Sequence, residues 1–162
     1  MSRGQFAATL HIHACPDSLI VEIDNVLLPY GLRPVWNPQV LVTQSSRAEV
    51  NLKLSQVKAE DLVAELNAFG SIYFELTQSF GIYGCLFMSV PGLGIYRGEM
   101  NSAGSLVLTE DQINSLVASS VGNHREFMRL LRLSLGQSWD DILEPMRATK
   151  YGDNVLLLNR AG

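Results

Sequence analysis

An α+β fold is predicted for this chain by three observations. Short segments in its first two thirds alternate apolar and polar residues with period two. Two intervening segments repeat apolar residues at helical spacing, and the last third carries helix-capping sequences in place of alternation. With 162 residues, the chain can bury an apolar core without disulfide or metal staples.

Residues 5 to 14 set Phe6, Ala8, Leu10 and Ile12 on one side and Ala7, Thr9, His11 and His13 on the other, as a strand does. Pro16-Asp17-Ser18 offers a turn and an N-cap. Leu19, Ile20, Ile23, Val26 and Leu27 then recur as on a helix that Pro29 and Gly31 end. Two strands are predicted over 35–43 and 48–55, joined by a turn at Gln44-Ser45-Ser46, with Pro34 and Pro38 making the first an edge strand. A helix over 58–69 carries Leu62, Leu66 and Phe69 and is closed by Gly70, after which 72–77 alternates again.

The order β-α-β-β-α-β predicts a ferredoxin-like core, two helices on one face of a four-stranded antiparallel sheet. Strands at 83–90, 94–100 and 105–108 extend that sheet. Thr109-Glu110-Asp111-Gln112 is a capping box before Ile113, Leu116 and Val117, and Asn123 opens a second helix with Phe127, Leu130, Leu131 and Leu135 inside, closed by Gly136. Ser138 reads as the N-cap of a further segment in which Trp139, Ile142, Leu143 and Met146 form an apolar face, with a bend expected at Pro145. Val155 to Leu158 reads as a buried strand. The expected organisation is a core with sheet extension over 1–108 and C-terminal helices and a final strand over 109–162, packed as one unit.

Twelve Lys and Arg against sixteen Asp and Glu give a net charge of −4, which argues against a general nucleic-acid footprint or attraction to anionic lipid. Cys15 and Cys85 lack metal-type spacing, and no stretch has signal-peptide or membrane-span character, so a cytoplasmic chain without a disulfide scaffold is expected. No cofactor is implied; Gly92-Leu93-Gly94 is too short for a dinucleotide fingerprint and lies between strands.

The alternation sends His11, His13, Glu49, Asn51, Lys53, Tyr73, Glu75 and Thr77 to the sheet face opposite the two core helices. A ligand site there would draw on His13, Trp36, Arg47, Glu49, Tyr73 and Glu75. The plainer expectation is a face that is solvated, or covered by the C-terminal helices with its polar groups satisfied. His11, His13 and Cys15 are also expected to share that face, a spacing that would allow a metal with Glu49 or Glu75 as fourth ligand, although it is common by chance and no metal site is assigned. No nucleophile motif surrounds either cysteine, so both are expected to be inert. Arg125, Arg129 and Arg132, at i, i+4 and i+7, make a basic stripe suited to an acidic protein partner or to pairing with Asp140, Asp141 and Glu144 in cis.

In the segment 138–147, capping, dipole and packing roles absorb all but Glu144 and Arg147. The run Leu135-Gly136-Gln137-Ser138-Trp139-Asp140-Asp141-Ile142-Leu143-Glu144-Pro145-Met146-Arg147, followed by Arg160-Ala161-Gly162, resembles an uncharacterised actinobacterial family, a domain of unknown function ending in W-D-D-x-L-E-P-F-R, a short strand and R-x-G. His13 with Pro16, Trp36-Asn37-Pro38-Gln39, Arg47-Ala48-Glu49, Phe74-Glu75-Leu76-Thr77 and Leu93-Gly94-Ile95-Tyr96 extend the resemblance over most of the chain. Phe69, Gln78 and Asn159 depart from it, standing where the family has Trp, an acid and His. The resemblance implies no activity; it implies a setting near fatty-acid synthesis. With no catalytic motif beside a polar sheet face and a basic stripe, the expected function is a non-enzymatic binding or regulatory module for a protein partner. The alternative is a small-molecule or metal-binding enzyme with its polar site on the open sheet face; whether the chain is an enzyme is left open by the sequence.

Overall fold

The computed structural model describes residues 4–31 and 33–148. Among these residues seven strands form one antiparallel sheet: β1 (Phe6–Pro16), β2 (Asn37–Pro38), β3 (Ser45–Leu54), β4 (Tyr73–Ser79), β5 (Tyr83–Val90), β6 (Gly94–Asn101) and β7 (Leu106–Val107). Their order is β2-β3-β1-β4-β5-β6-β7, so β1 is central to the first half of the chain and the later strands are added at one side. Five α-helices accompany them among the described residues: α1 (Ile20–Leu27), α2 (Gln56–Ala68), α3 (Glu110–Ser120), α4 (His124–Ser134) and α5 (Gln137–Ala148). Among the described residues, no helix is long and apolar enough to cross a membrane.

Period-two alternation decides the two faces. Leu10, Ile12, Val50, Leu52, Phe74, Leu76 and Phe87 point to one side, where Ile23 and Leu27 of α1 and Leu62, Val63 and Leu66 of α2 close a core over them. Ser55 caps α2 by accepting from the Lys58 amide, and Gly70 ends it at φ +71, a left-handed position that costs glycine nothing. The opposite face carries a smaller cluster of Ala14, Met88, Val90 and Tyr96, covered by Leu143 and Met146 of α5.

Four expectations are corrected. The strand over 35–43 contracts to the two-residue β2, because Pro34 and Pro38 offer no amide to a ladder and Gln39 turns inward. Ser45 and Ser46 belong to β3 rather than to a turn. Pro145 does not interrupt the third C-terminal segment: α5 continues through it to Ala148, losing the one bond a proline cannot donate while Leu143 and Met146 remain buried on the sheet. Ser138 is not its N-cap either, since the amides of Trp139 and Asp140 both donate to the carbonyl of Gly136. The strand expected over 155–158 lies outside the described residues. The capping box of α3 is present in full, with Thr109 and Gln112 exchanging side-chain and backbone bonds.

Candidate functional site

A bulge in β1 organises the polar residues. The register of β1 with β3 shifts between Ile12 and Cys15, and that with β4 shifts between Ile12 and Ala14. His13 and Ala14 therefore fall on the α5 side together, and Cys15 swings into the core under α1 and α2. The expected alignment of His11, His13 and Cys15 on one face is thereby broken, and no three His, Cys, Asp or Glu side chains are placed to hold a metal among the described residues. Burial, with Asp17, Asp24 and Glu22 nearby, pushes the Cys15 thiol up to about 12, and burial raises Cys85 as well. Both stay protonated near neutral pH.

The bulge frees the carbonyl of His13, and buried Gln39 answers it. Gln39 Nε2 donates to that carbonyl at 2.7 Å while its Oε1 accepts from the Leu41 amide at 3.1 Å. Replacing Gln39 by Leu should leave the carbonyl and the Leu41 amide unpaired and destabilise the fold by about 2 kcal/mol, measurable as a lower urea midpoint with unchanged slope. A variant as stable as the parent would mean that water replaces the amide.

On the α5 side, His13 Nε2 lies 2.6 Å from Oε2 of Glu75, whose residue is 7% exposed. The same carboxylate accepts two bonds from Arg147, from Nε at 2.9 Å and from Nη2 on the other oxygen, and Arg147 Nη1 donates to Asp140 at 2.5 Å. Burial pushes Glu75 up, but the hydrogen bonds and positive charge of His13 and Arg147 outweigh it and hold the carboxyl at about 2. An ionised carboxylate only accepts, so the proton in the 2.6 Å contact belongs to His13 Nε2. The network runs on along β1. His11 stacks at 6.1 Å on His13 and lies 3.7 Å from Glu49, and its pKa is lowered mainly by burial.

The six expected ligand residues thus divide. His13 and Glu75 meet, with Tyr73 packed against the same apolar cluster. Glu49 pairs with the more exposed His11. Arg47 is half-buried on β3 opposite Asn37. Trp36 sits on the other face of the sheet, packed on the α1 and α2 core with its indole nitrogen donating to Asp24 at 2.9 Å. α5 covers the face on which they were expected only around His13 and Glu75, and Glu49, Asn51 and Lys53 stay exposed on it. Arg147, which had no forced role in sequence, is the central cation of this cluster; an arginine seven residues beyond an aspartate on one helix was the signal available for its pairing with Asp140.

Trp139 fixes the other end of α5, its Nε1 donating to the Gly94 carbonyl at 3.0 Å and its ring lying 5.5 Å from that of Tyr96. Tyr96 in turn donates to the Ser134 carbonyl, tying down the end of α4. Beyond these ties, α3 and α4 form a hairpin. α4 carries Phe127, Met128, Leu130, Leu131 and Leu133, yet none of its residues is buried. A groove of about 770 Å³ runs between α4 and the start of α5, lined by Arg125, Arg129, Arg132, Met128 and Leu133 among others. Arg129 is held by Glu126 on its own helix. Pairing of the stripe with the α5 acids does not occur among the described residues, because Asp140 serves Arg147 and Asp141 accepts from Gln137.

A family model described as a protein of unknown function, DUF3145, matches residues 9–160. The chain belongs to that family. The DUF3145 match spans β1 to α5 and so takes in the His13 cluster, Trp139 and the arginine groove alike. Comparison with curated proteins found no match, and comparison with solved structures found none.

Proposed function

We propose that this DUF3145 protein is a non-enzymatic binding or regulatory module that receives an acidic helical segment of a protein partner in the groove between α4 and α5. The observation that carries this reading is the arginine stripe beside Met128 and Leu133 on a molecule whose net charge is −4. Arg125 and Arg132 have no hydrogen-bond or ion-pair partner among the described residues, so their charge is available to an incoming carboxylate. The resemblance of the terminal motif supplies a setting, the cytoplasm of an actinobacterium and its fatty-acid metabolism, in which an acidic carrier protein is one such partner. The core is read as ferredoxin-like; the order β2-β3-β1-β4, with α1 and α2 on one face, supports this.

The enzyme reading has less support. Of the polar residues it would use, His13 and Glu75 meet while Glu49 pairs with His11, and a carboxylate held at about 2 with both oxygens occupied is a poor base near neutral pH.

Affinity purification from the native cell, with the wild-type chain and Arg125→Glu/Arg129→Glu/Arg132→Glu in parallel, tests the proposal. A partner enriched only by the wild type, whose purified form binds with a strength that falls at least about tenfold in the variant and with added salt, is the expected result. Equal binding by the charge-reversed chain would overturn it.

A further inference from the structure

We infer that a second copy of this chain covers the outer side of α3. The inference shares Arg125 with the arginine groove and otherwise begins with three residues of α3. Ile113, Val117 and Val121 recur at i, i+4 and i+8 and are 42%, 54% and 86% exposed, while α3 turns Leu116 and Ser120 inward. β-Branched residues lose side-chain freedom in a helix, and an exposed apolar stripe gains nothing from water. Nothing local to α3 therefore favours Ile or Val at these positions.

Val121 carries a second cost. It is the C-cap of α3 at φ +46, ψ 52, a left-handed conformation in which a β-branched side chain crowds its own backbone and where glycine or asparagine is the usual solution. A strained backbone and an exposed side chain at one position are offset when that side chain is buried by something else.

The spacing of the stripe fits a second copy. A two-fold axis through Val117 sets α3 antiparallel to its copy, so that Val117 meets Val117, and Ile113 meets Val121 of the other chain twice, since the spacing is four residues on either side. Charge follows the same axis. Glu110 and Asp111 open α3 and have no ion-pair partner among the described residues; in the pair they lie beside the hairpin tip of the copy, where His124 and Arg125 stand at the positive end of α4. Acidic start meets basic tip on both sides.

Sedimentation equilibrium of the full chain over micromolar to submillimolar concentration is the test. The wild type should dimerise, and Val117→Glu should weaken the dimer at least about tenfold by placing two like charges on the axis. Val121→Gly separates association from folding: it should weaken the dimer while leaving the melting temperature of the dissociated chain unchanged or higher, because glycine relieves the strained cap. Glu110→Lys/Asp111→Lys should also weaken self-association, and mixing with Arg125→Glu should restore a heterodimer in which both contacts again join opposite charges. A wild type that stays monomeric throughout overturns the inference. A dimer indifferent to Val117→Glu and Val121→Gly overturns it equally.

Discussion

Arg147→Met should lower the unfolding free energy by about 3 kcal/mol at pH 7, because removing one partner of a buried charged cluster leaves the other's desolvation uncompensated. Glu75 is the group left behind, and only His13 would remain to hold it. Equilibrium denaturation in urea measures the loss. Asp140→Ala should cost much less, about 0.5 kcal/mol, since that carboxylate stands at the solvent edge of the cluster. Combining Arg147→Met with Glu75→Met should recover part of the loss, as apolar replacement of a whole buried pair often does.

The pH dependence has a fixed sign. Glu75 is held at about 2 in the folded chain, below its ordinary value of 4.5, so folding stabilises the ionised form. That contribution is complete above pH 4.5 and is lost as pH falls from there toward 2. Without Arg147, the upward push of burial is less opposed, so the folded-state pKa rises and acid unfolding should begin at a higher pH. Circular dichroism during acid titration of both proteins decides this; coincident titrations with equal midpoints in urea would remove Arg147 from its role as anchor.

Gly136→Ala carries the second large effect, about 3 kcal/mol from backbone strain and overpacking together. Gly136 joins α4 to α5 at φ +70, and a Cβ there would lie 2.6 Å from Met88 Cε and 2.9 Å from Tyr96 Cε1. The methionine tip can swing aside; the tyrosine cannot without giving up its bond to Ser134 and its contact with Trp139. The damage should reach the presentation of the α3–α4 hairpin, visible as shifts of α3 and α4 amides in an NMR correlation spectrum along with a lower melting temperature. A variant with native stability and an unperturbed hairpin would show that the joint tolerates repacking.

Much of the architecture was legible along the chain because it is local. Alternation fixed the faces of β1, β3 and β4, Thr109 with Gln112 fixed the start of α3, and Gly70 and Gly136 fixed two helix ends, each a matter of backbone geometry within a few residues. Trp139 as the residue that docks α5 was readable from a large aromatic on the apolar face it shares with Leu143 and Met146. Cys15 was misassigned for the opposite reason. One extra residue in a strand reverses every side chain beyond it, and a bulge answered by Gln39, 26 residues away, leaves no mark in the pattern of β1 itself.

By itself the sequence determined the α+β class, the strands and helices in order, a −4 charge and the basic stripe of α4. The tertiary structure alone decided which polar groups meet: Glu75 with His13 and Arg147 across 62 and 72 positions of chain, and Glu49 with His11 instead. The reason is physical. Helix and strand periodicity come from backbone sterics within a few residues, whereas the partner of a buried carboxylate is chosen by which helix comes to lie over it. Here that choice rests on Leu143, Met146 and Trp139 seating α5 on the sheet.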